Sequence, residues 1–189
     1  MAGKTVVIVG GGWGGMALAH SLRGMLGSEH RVVVVERKAT FSLGLSNLNI
    51  MTGAWKSLAD AERQMSRMVR AGIKRVHEEV RRIDPVTHGV HTDSQTLRGD
   101  YLVLALGAGL DPDGVPGFAE SAYNLYEAGG AYQLRQALSD FDGGRVAVLV
   151  SRMPYRCPAA PYEAAFLMES LFRESGLRER VNIAIYTPG

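Results

Sequence analysis

Residues 5–15 read T-V-V-I-V-G-G-G-W-G-G, a β-branched run that breaks into five glycines within six positions. A continuous run without polar alternation predicts a strand buried on both faces, as in a parallel sheet. Beyond the glycines, Leu18, Leu22, Met25 and Leu26 recur as the stripe of an amphipathic helix, with Gly27 placed to stop it. Arg31 to Glu36 then forms a second buried strand. A strand, a glycine turn, a helix and a strand within about 30 residues specify an α/β fold with a parallel sheet. Gly10, Gly12 and Gly15 fit G-x-G-x-x-G. The first glycine permits the tight turn, the second lets a pyrophosphate approach the backbone, and the third allows close helix–strand packing. The helix start offers free N–H groups to phosphates. Glu36, ending the second strand, is placed to accept hydrogen bonds from a ribose diol. A dinucleotide is therefore expected, but this spacing does not distinguish a nicotinamide from a flavin.

The rest of the 189 residues extends the same architecture. Residues 41–53 have no clean period and read as loop, and 56–71 as a polar helix with Leu58, Ala61 and Met65 on one side. Residues 74–84 are strand-like but charged. Residues 90–92 and 95–98 form a short hairpin around Asp93-Ser94. Residues 100–107 are another buried strand, followed by a proline- and glycine-rich excursion to Gly117. A second strand–helix–strand unit begins near residue 145 and ends with the strand 181–186. One domain boundary is expected, giving 1–117 and 118–189. Lys plus Arg exceed Asp plus Glu by only two, 21 against 19, too few to make nucleic acid or an anionic membrane the main partner. No stretch approaches a membrane span or a secretory signal. The five histidines show no metal spacing, so no metal is expected, and the single Cys157 excludes an internal disulfide.

D-Y-L-V-L-A-L-G at 100–107, the triple glycine and the hairpin after Val80 and Ile83-Asp84-Pro85 resemble the two-dinucleotide-binding-domain flavoproteins of the pyridine nucleotide-disulfide oxidoreductase superfamily. The resemblance implies a Rossmann-like FAD-binding domain with three-layer ββα organisation and the start of a second, inserted Rossmann-like domain. It places FAD on Gly10, Gly11, Gly12, Trp13, Gly14, Gly15, Glu36, Arg37, Val80, Ala105, Leu106 and Gly107. Trp13 has two readings here, packing over the cofactor or filling the core.

R-C-P-A-A-P-Y-E-A-A at 156–165 and F-S-L-G-L-S-N-L-N-I-M-T-G at 41–53 resemble the sulfide:quinone oxidoreductase and flavocytochrome c sulfide dehydrogenase family. There Cys157 would be one of a redox pair beside the flavin, with Glu163 handling a proton. An inert cysteine in a prolyl loop and a first-turn helix acid are the plain alternatives. A second glycine loop is missing: Pro154, Pro158 and Pro161 interrupt this stretch, and no glycine lies between Gly144 and Gly176. Prolines remove the N–H donors a pyridine nucleotide would need. The resemblance implies electron transfer from sulfide or a small thiol to a quinone or cytochrome. It also implies a cytoplasmic location, peripheral to the inner membrane in the full-length protein. An NAD(P)H-dependent flavin reductase and a catalytically silent FAD-binding subunit are the rivals. Leu43, Gly44 and Leu45 stand where one branch carries its flavin-attaching cysteine, so FAD should be non-covalent. The redox partner of Cys157 is absent, and family members are longer. A fragment is therefore expected, with exposed edges that need a homo-oligomer or a partner chain.

Overall fold

A computed structural model describes residues 2–188. In chain order, β1 (Thr5–Val9), α1 (Trp13–Met25) and β2 (Arg31–Val35) form the first parallel unit. There follow β3 (Thr40–Ser42), α2 (Asn47–Thr52), α3 (Leu58–Ala61), β4 (Glu62–Gln64), α4 (Met65–Met68) and β5 (Ile73–Val76). Next are β6 (Val80–Asp84), β7 (Gly89–Thr92), β8 (Thr96–Arg98) and β9 (Tyr101–Leu104). The chain continues through α5 (Phe118–Ser121), α6 (Ala128–Ser139), β10 (Gly144–Leu149), α7 (Ala160–Glu174) and β11 (Val181–Tyr186).

Two expectations fail between residues 41 and 71. The stretch read as loop contains β3 and α2, because a six-residue helix is too short to display a period. Its core contacts nonetheless bury Ile50 and Met51, and Gly53 ends it at φ 78°. The expected helix over 56–71 is broken at Glu62–Gln64, which pair antiparallel with Thr40–Ser42 as strand β4. The charged stretch 74–84 is likewise two strands, β5 and β6, in different sheets.

The described residues pack as two compact units, 2–43 with 62–110 and 44–61 with 111–188. Packing thus groups 44–61 with the C-terminal residues, whereas the sequence expectation has one boundary after Gly117. In the first unit β5-β2-β1-β9 form a parallel sheet. Its side chains alternate as the pleat demands. Val6, Ile8, Val32 and Val34 meet Met16 and Ala19 of α1. Val7, Val9, Val33 and Val35 meet Val80, Ile83, Val90 and Leu97 of the antiparallel sheet β6-β7-β8. Helix, parallel sheet and antiparallel sheet are the three layers the ββα reading expected. Strand β9 is less buried than its sequence suggested. It is an edge strand, and Tyr101 and Leu104 are 59% and 60% exposed.

In the second unit β10 and β11 pair in parallel across α7, the second βαβ unit expected from the sequence. Val146, Val148, Val181 and Ile183 pack on Ala164, Met168 and Phe172 of α7, and Met51 of α2 joins them. Ile50 packs separately with Ala61 and Ala131.

Candidate dinucleotide-binding site

The glycine turn lies where β1 enters α1, and three of its glycines have distinct reasons to lack a side chain. Gly10 has φ 103°, and a Cβ there would overlap the Ala105 carbonyl. A Cβ on Gly15 would overlap the Gly10 carbonyl oxygen, so this glycine lets α1 close on the strand. Gly12 has an ordinary φ of −69°, and a Cβ there meets nothing within 4 Å. Neither backbone conformation nor packing within the chain requires glycine at 12. Open space over a backbone that needs no glycine is what the approach of an external phosphate predicts. Gly14 faces open space in the same way.

The electrostatics favour an anion. The first-turn N–H groups of α1 have no intrahelical acceptor, and its first turn contains no acidic residue. Glu36, directly after β2, is tied to the same turn: Gly11 N–H donates to Oε2 at 2.7 Å and Lys38 N–H to Oε1 at 2.8 Å. A carboxylate offers about four acceptor positions, so capacity remains for a ribose diol. Arg37 pairs with Glu79 at 3.0 Å, next to Val80 at the start of β6, and the Val80 side chain packs beneath the parallel sheet. Ala105 N–H donates to Val9 at 2.8 Å and holds the end of β9 against the turn. Leu106 is exposed, and Gly107 takes φ 71°. The first unit thus gathers the glycine turn, Glu36, Arg37, Val80 and residues 105–107 at the C-terminal ends of its parallel strands, where open α/β sheets bind ligands. These groups fit a dinucleotide's diphosphate and ribose.

Trp13 is not core. It is 68% exposed, and its ring lies tilted on Phe41 with centroids 6.3 Å apart. Met65, the other neighbour missed from sequence, reaches within 2.7 Å of a Cβ built on Gly11. Phe41 belongs to the stretch 41–53, but nothing in the sequence pairs it with Trp13. Met65 gave only a helical stripe.

Cys157 and Glu163 belong to the second unit. Cys157 lies three residues before α7, partly buried, with φ 55°, a left-handed conformation uncommon for a side chain of this size. Its carbonyl accepts from Ala160 N–H at 3.0 Å and from the Tyr126 hydroxyl at 3.4 Å. The Arg156 guanidinium sits 5.4 Å from the centre of the Tyr126 ring. Burial, followed by the neighbouring Cys157 and Tyr155, pushes the Tyr126 phenol above its ordinary pKa, and Arg156 opposes this. Tyr126 stands 31 residues from Cys157, so no local pattern could have identified it. Glu163 lies in the first turn of α7, where the positive end of the helix favours an acid. Among the described residues, no helix is long and apolar enough to cross a membrane.

Residues 4–177 match the model of the pyridine nucleotide-disulphide oxidoreductase family. The chain is 27% identical over 189 residues to the mitochondrial sulfide:quinone oxidoreductase of Mus musculus, with 96% of this chain and 41% of that one covered. It is 26% identical over 202 residues to the alternative NAD(P)H-ubiquinone oxidoreductase C1 of Arabidopsis thaliana, covering 95% and 38%. The X-ray structure of sulfide:quinone oxidoreductase from the hyperthermophile Aquifex aeolicus superimposes with a TM-score of 0.82 at 25% identity, covering 96% and 42%. The chain therefore spans about two-fifths of the length of these relatives. The match over residues 4–177, joined to a parallel βαβ unit with its glycine turn and terminal acid, makes this chain a member of the pyridine nucleotide-disulphide oxidoreductase family.

Proposed function

We propose that this chain is the FAD-binding part of an oxidoreductase of the sulfide dehydrogenase or sulfide:quinone reductase type, with FAD held non-covalently. Gly10 to Gly15 would receive the diphosphate, Glu36 and Arg37 the adenosine ribose, and the backbone of Val80 the adenine. Ala105, Leu106 and Gly107 would pass beside the cofactor. When bound, FAD supplies a two-electron acceptor that can be reoxidised by a quinone or cytochrome. The Cys157 thiol would be joined to the sulfur of sulfide or a small thiol as a persulfide or disulfide, the two electrons of that oxidation passing to FAD and its two protons to Glu163 and to water. A location peripheral to a membrane belongs to the same reading.

One observation carries this choice over a pyridine-nucleotide enzyme. The β10–α7 turn contains Pro154, Pro158 and Cys157, and α7 starts with a proline in its first turn and an alanine cap. Where a second nucleotide loop would offer glycines and free N–H groups, this turn offers prolines and a thiol. The likeness to an alternative NAD(P)H-ubiquinone oxidoreductase favours the second reading, reduction by NAD(P)H.

The purified chain, reconstituted with FAD, separates the readings by its visible flavin absorbance under anaerobic conditions. Bleaching by sulfide and not by NADH is expected. Bleaching by NADH would establish the second reading. Bleaching by neither would leave a silent FAD-binding chain and overturn the catalytic proposal.

A further inference from the structure

A groove of the first unit lies at the opposite ends of its parallel strands from the glycine turn, where α1 stops and β2 and β5 begin. It is open to solvent, has a volume of about 600 Å³, and is walled by Arg23, Leu26, His30, Arg31, Gly72 and Lys74 among others. Arg23 is fixed in place. Its guanidinium donates to the carbonyls of His30, Leu26 and Gly27 at 2.8, 2.7 and 2.6 Å. Gly72, at φ 87°, leaves it room, because a Cβ there would lie 2.8 Å from the Arg23 Cδ. These carbonyls carry no net charge, so they hold the guanidinium without neutralising it, and two of its five N–H donors remain. His30 Nδ1 accepts from Lys4 N–H at 3.0 Å, so Nε2 carries the ring proton.

Arg37, Arg81, Arg173 and Arg178 each reach a carboxylate. By contrast, among the described residues the side chains of Arg31 and Lys74 make no ion pair or hydrogen bond. None of the described residues walling the groove is acidic. Glu29 stands beside it, with its carboxylate 3.4 Å from His30 Nε2. The three cations, less Glu29 and about half a charge for the negative end of α1, leave roughly +1.5. A phosphate monoester carries roughly −1.5 to −2 at neutral pH. We propose that this groove binds a phosphate-monoester group, at a site separate from the glycine turn and independent of the dinucleotide reading. Arg23 presents its remaining donors as a rigid fork, Arg31 and Lys74 meet the outer oxygens, and the Leu26 side takes the carbon of the ester.

Calorimetry with inorganic phosphate and glycerol 3-phosphate tests this, on the chain saturated with FAD so that the glycine turn is filled, and at an ionic strength fixed with potassium chloride. Co-sedimentation with phosphatidylcholine vesicles, with and without phosphatidic acid, presents the same group as a lipid headgroup. Saturable binding is expected. Lys74→Gln and Arg31→Gln should each weaken it about tenfold, the scale of one charge-assisted hydrogen bond, with FAD affinity unchanged. Arg23→Gln should abolish it but also removes the cap of α1. Lys74→Glu, at an exposed position, reverses a charge and keeps that cap, and should abolish binding as well. Binding of glycerol 3-phosphate without recruitment to vesicles identifies a free ester. Recruitment by phosphatidic acid alone, lost in the same variants, identifies a lipid headgroup, and either result supports the site. No binding of any probe, or equal binding by the wild type and the Arg31 and Lys74 variants, would overturn it. Phosphate that binds only in the absence of FAD occupies the glycine turn, which would overturn the groove and leave the dinucleotide reading standing. If the chain takes up no FAD, that reading fails and the variants still decide the groove.

Discussion

Gly10 and Gly12 are two residues apart, yet a methyl group added to each meets different surroundings. At Gly10 an alanine must adopt φ 103° against the Ala105 carbonyl. Gly10→Ala should therefore destabilise the fold by about 2 kcal/mol or more, read from denaturant unfolding. At Gly12 the added methyl meets nothing in the protein. Gly12→Ala should cost no more than about 1 kcal/mol, the effect of a poorer helix cap. It should still weaken FAD binding by on the order of tenfold or more, because the methyl would enter the path proposed for the diphosphate. Equal FAD affinity in Gly12→Ala and wild type would remove the assigned role of this glycine. The tight turn at Gly10 and the close packing at Gly15 were legible in the sequence from their spacing, whereas the approach of Gly10 to Ala105 was not, because it joins residues far apart in the chain. The exposure of Trp13 was not, because its place depends on Phe41, which β3 positions by pairing with a strand about 20 residues away.

The elements that the sequence misread are those whose identity comes from tertiary contact. Helix α2 offers six residues and no period, but Ile50 and Met51 are fully buried. Ile50→Ala should destabilise the second unit by about 2–5 kcal/mol, the usual cost of a truncated core aliphatic. Loss of near-neutral stability without loss of ADP binding is the expected pattern, since Ile50 belongs to the unit that lacks the glycine turn. Strand β4 was hidden because Glu62-Arg63-Gln64 has the polarity of an exposed helix, and only its pairing with Thr40–Ser42 makes it a strand. By contrast β1 and β2 were readable, since a parallel strand buried on both faces is apolar regardless of partner, and β10 and β11 were readable from their apolar runs although they are only partly buried. The starts of β1 and β9 are joined by charge. The Lys4 ammonium donates to Asp100 at 2.7 Å and Thr5 N–H to its other oxygen at 2.8 Å. The Lys4 hydrogen bond, then the Thr5 N–H, hold the Asp100 carboxyl below its ordinary pKa. A depressed folded pKa contributes stability that is present above the unfolded value and lost as pH falls through the folded one. Asp100→Asn should therefore be less stable than wild type at neutral pH, and the gap should close as acid protonates Asp100 in the parent. Thermal melts across the acid range test this. A gap that widens toward low pH would contradict the sign.

At the scale of the molecule, the parallel sheet of the first unit ends at β9, whose outer side pairs with no further strand among the described residues. That edge is apolar rather than guarded: Tyr101 and Leu104 are exposed, and Leu106 follows them. In the second unit, Leu149 and Tyr186 pair across β10 and β11 and are also exposed. Native sheets blunt such edges with charge, proline, bulges or covering elements, and an unblunted apolar edge is a template for association. The chain also spans about two-fifths of the length of its sulfide:quinone oxidoreductase relatives. The edge could therefore be met by further polypeptide, but the isolated 189 residues have only other copies to meet. Self-association is the expected behaviour, with a light-scattering mass above 20.4 kDa that rises with concentration. Placing a charge on the edge should oppose pairing, as edge lysines do in natural sheets. Leu104→Lys should lower the apparent mass while the circular-dichroism spectrum and ADP affinity stay as in the parent, since residue 104 faces solvent. A parent that remains a 20.4 kDa monomer across the concentration series would show that the exposed edge is tolerated without a partner. Association unchanged by Leu104→Lys would move the contact to the Leu149–Tyr186 face, where Leu149→Lys is the corresponding test.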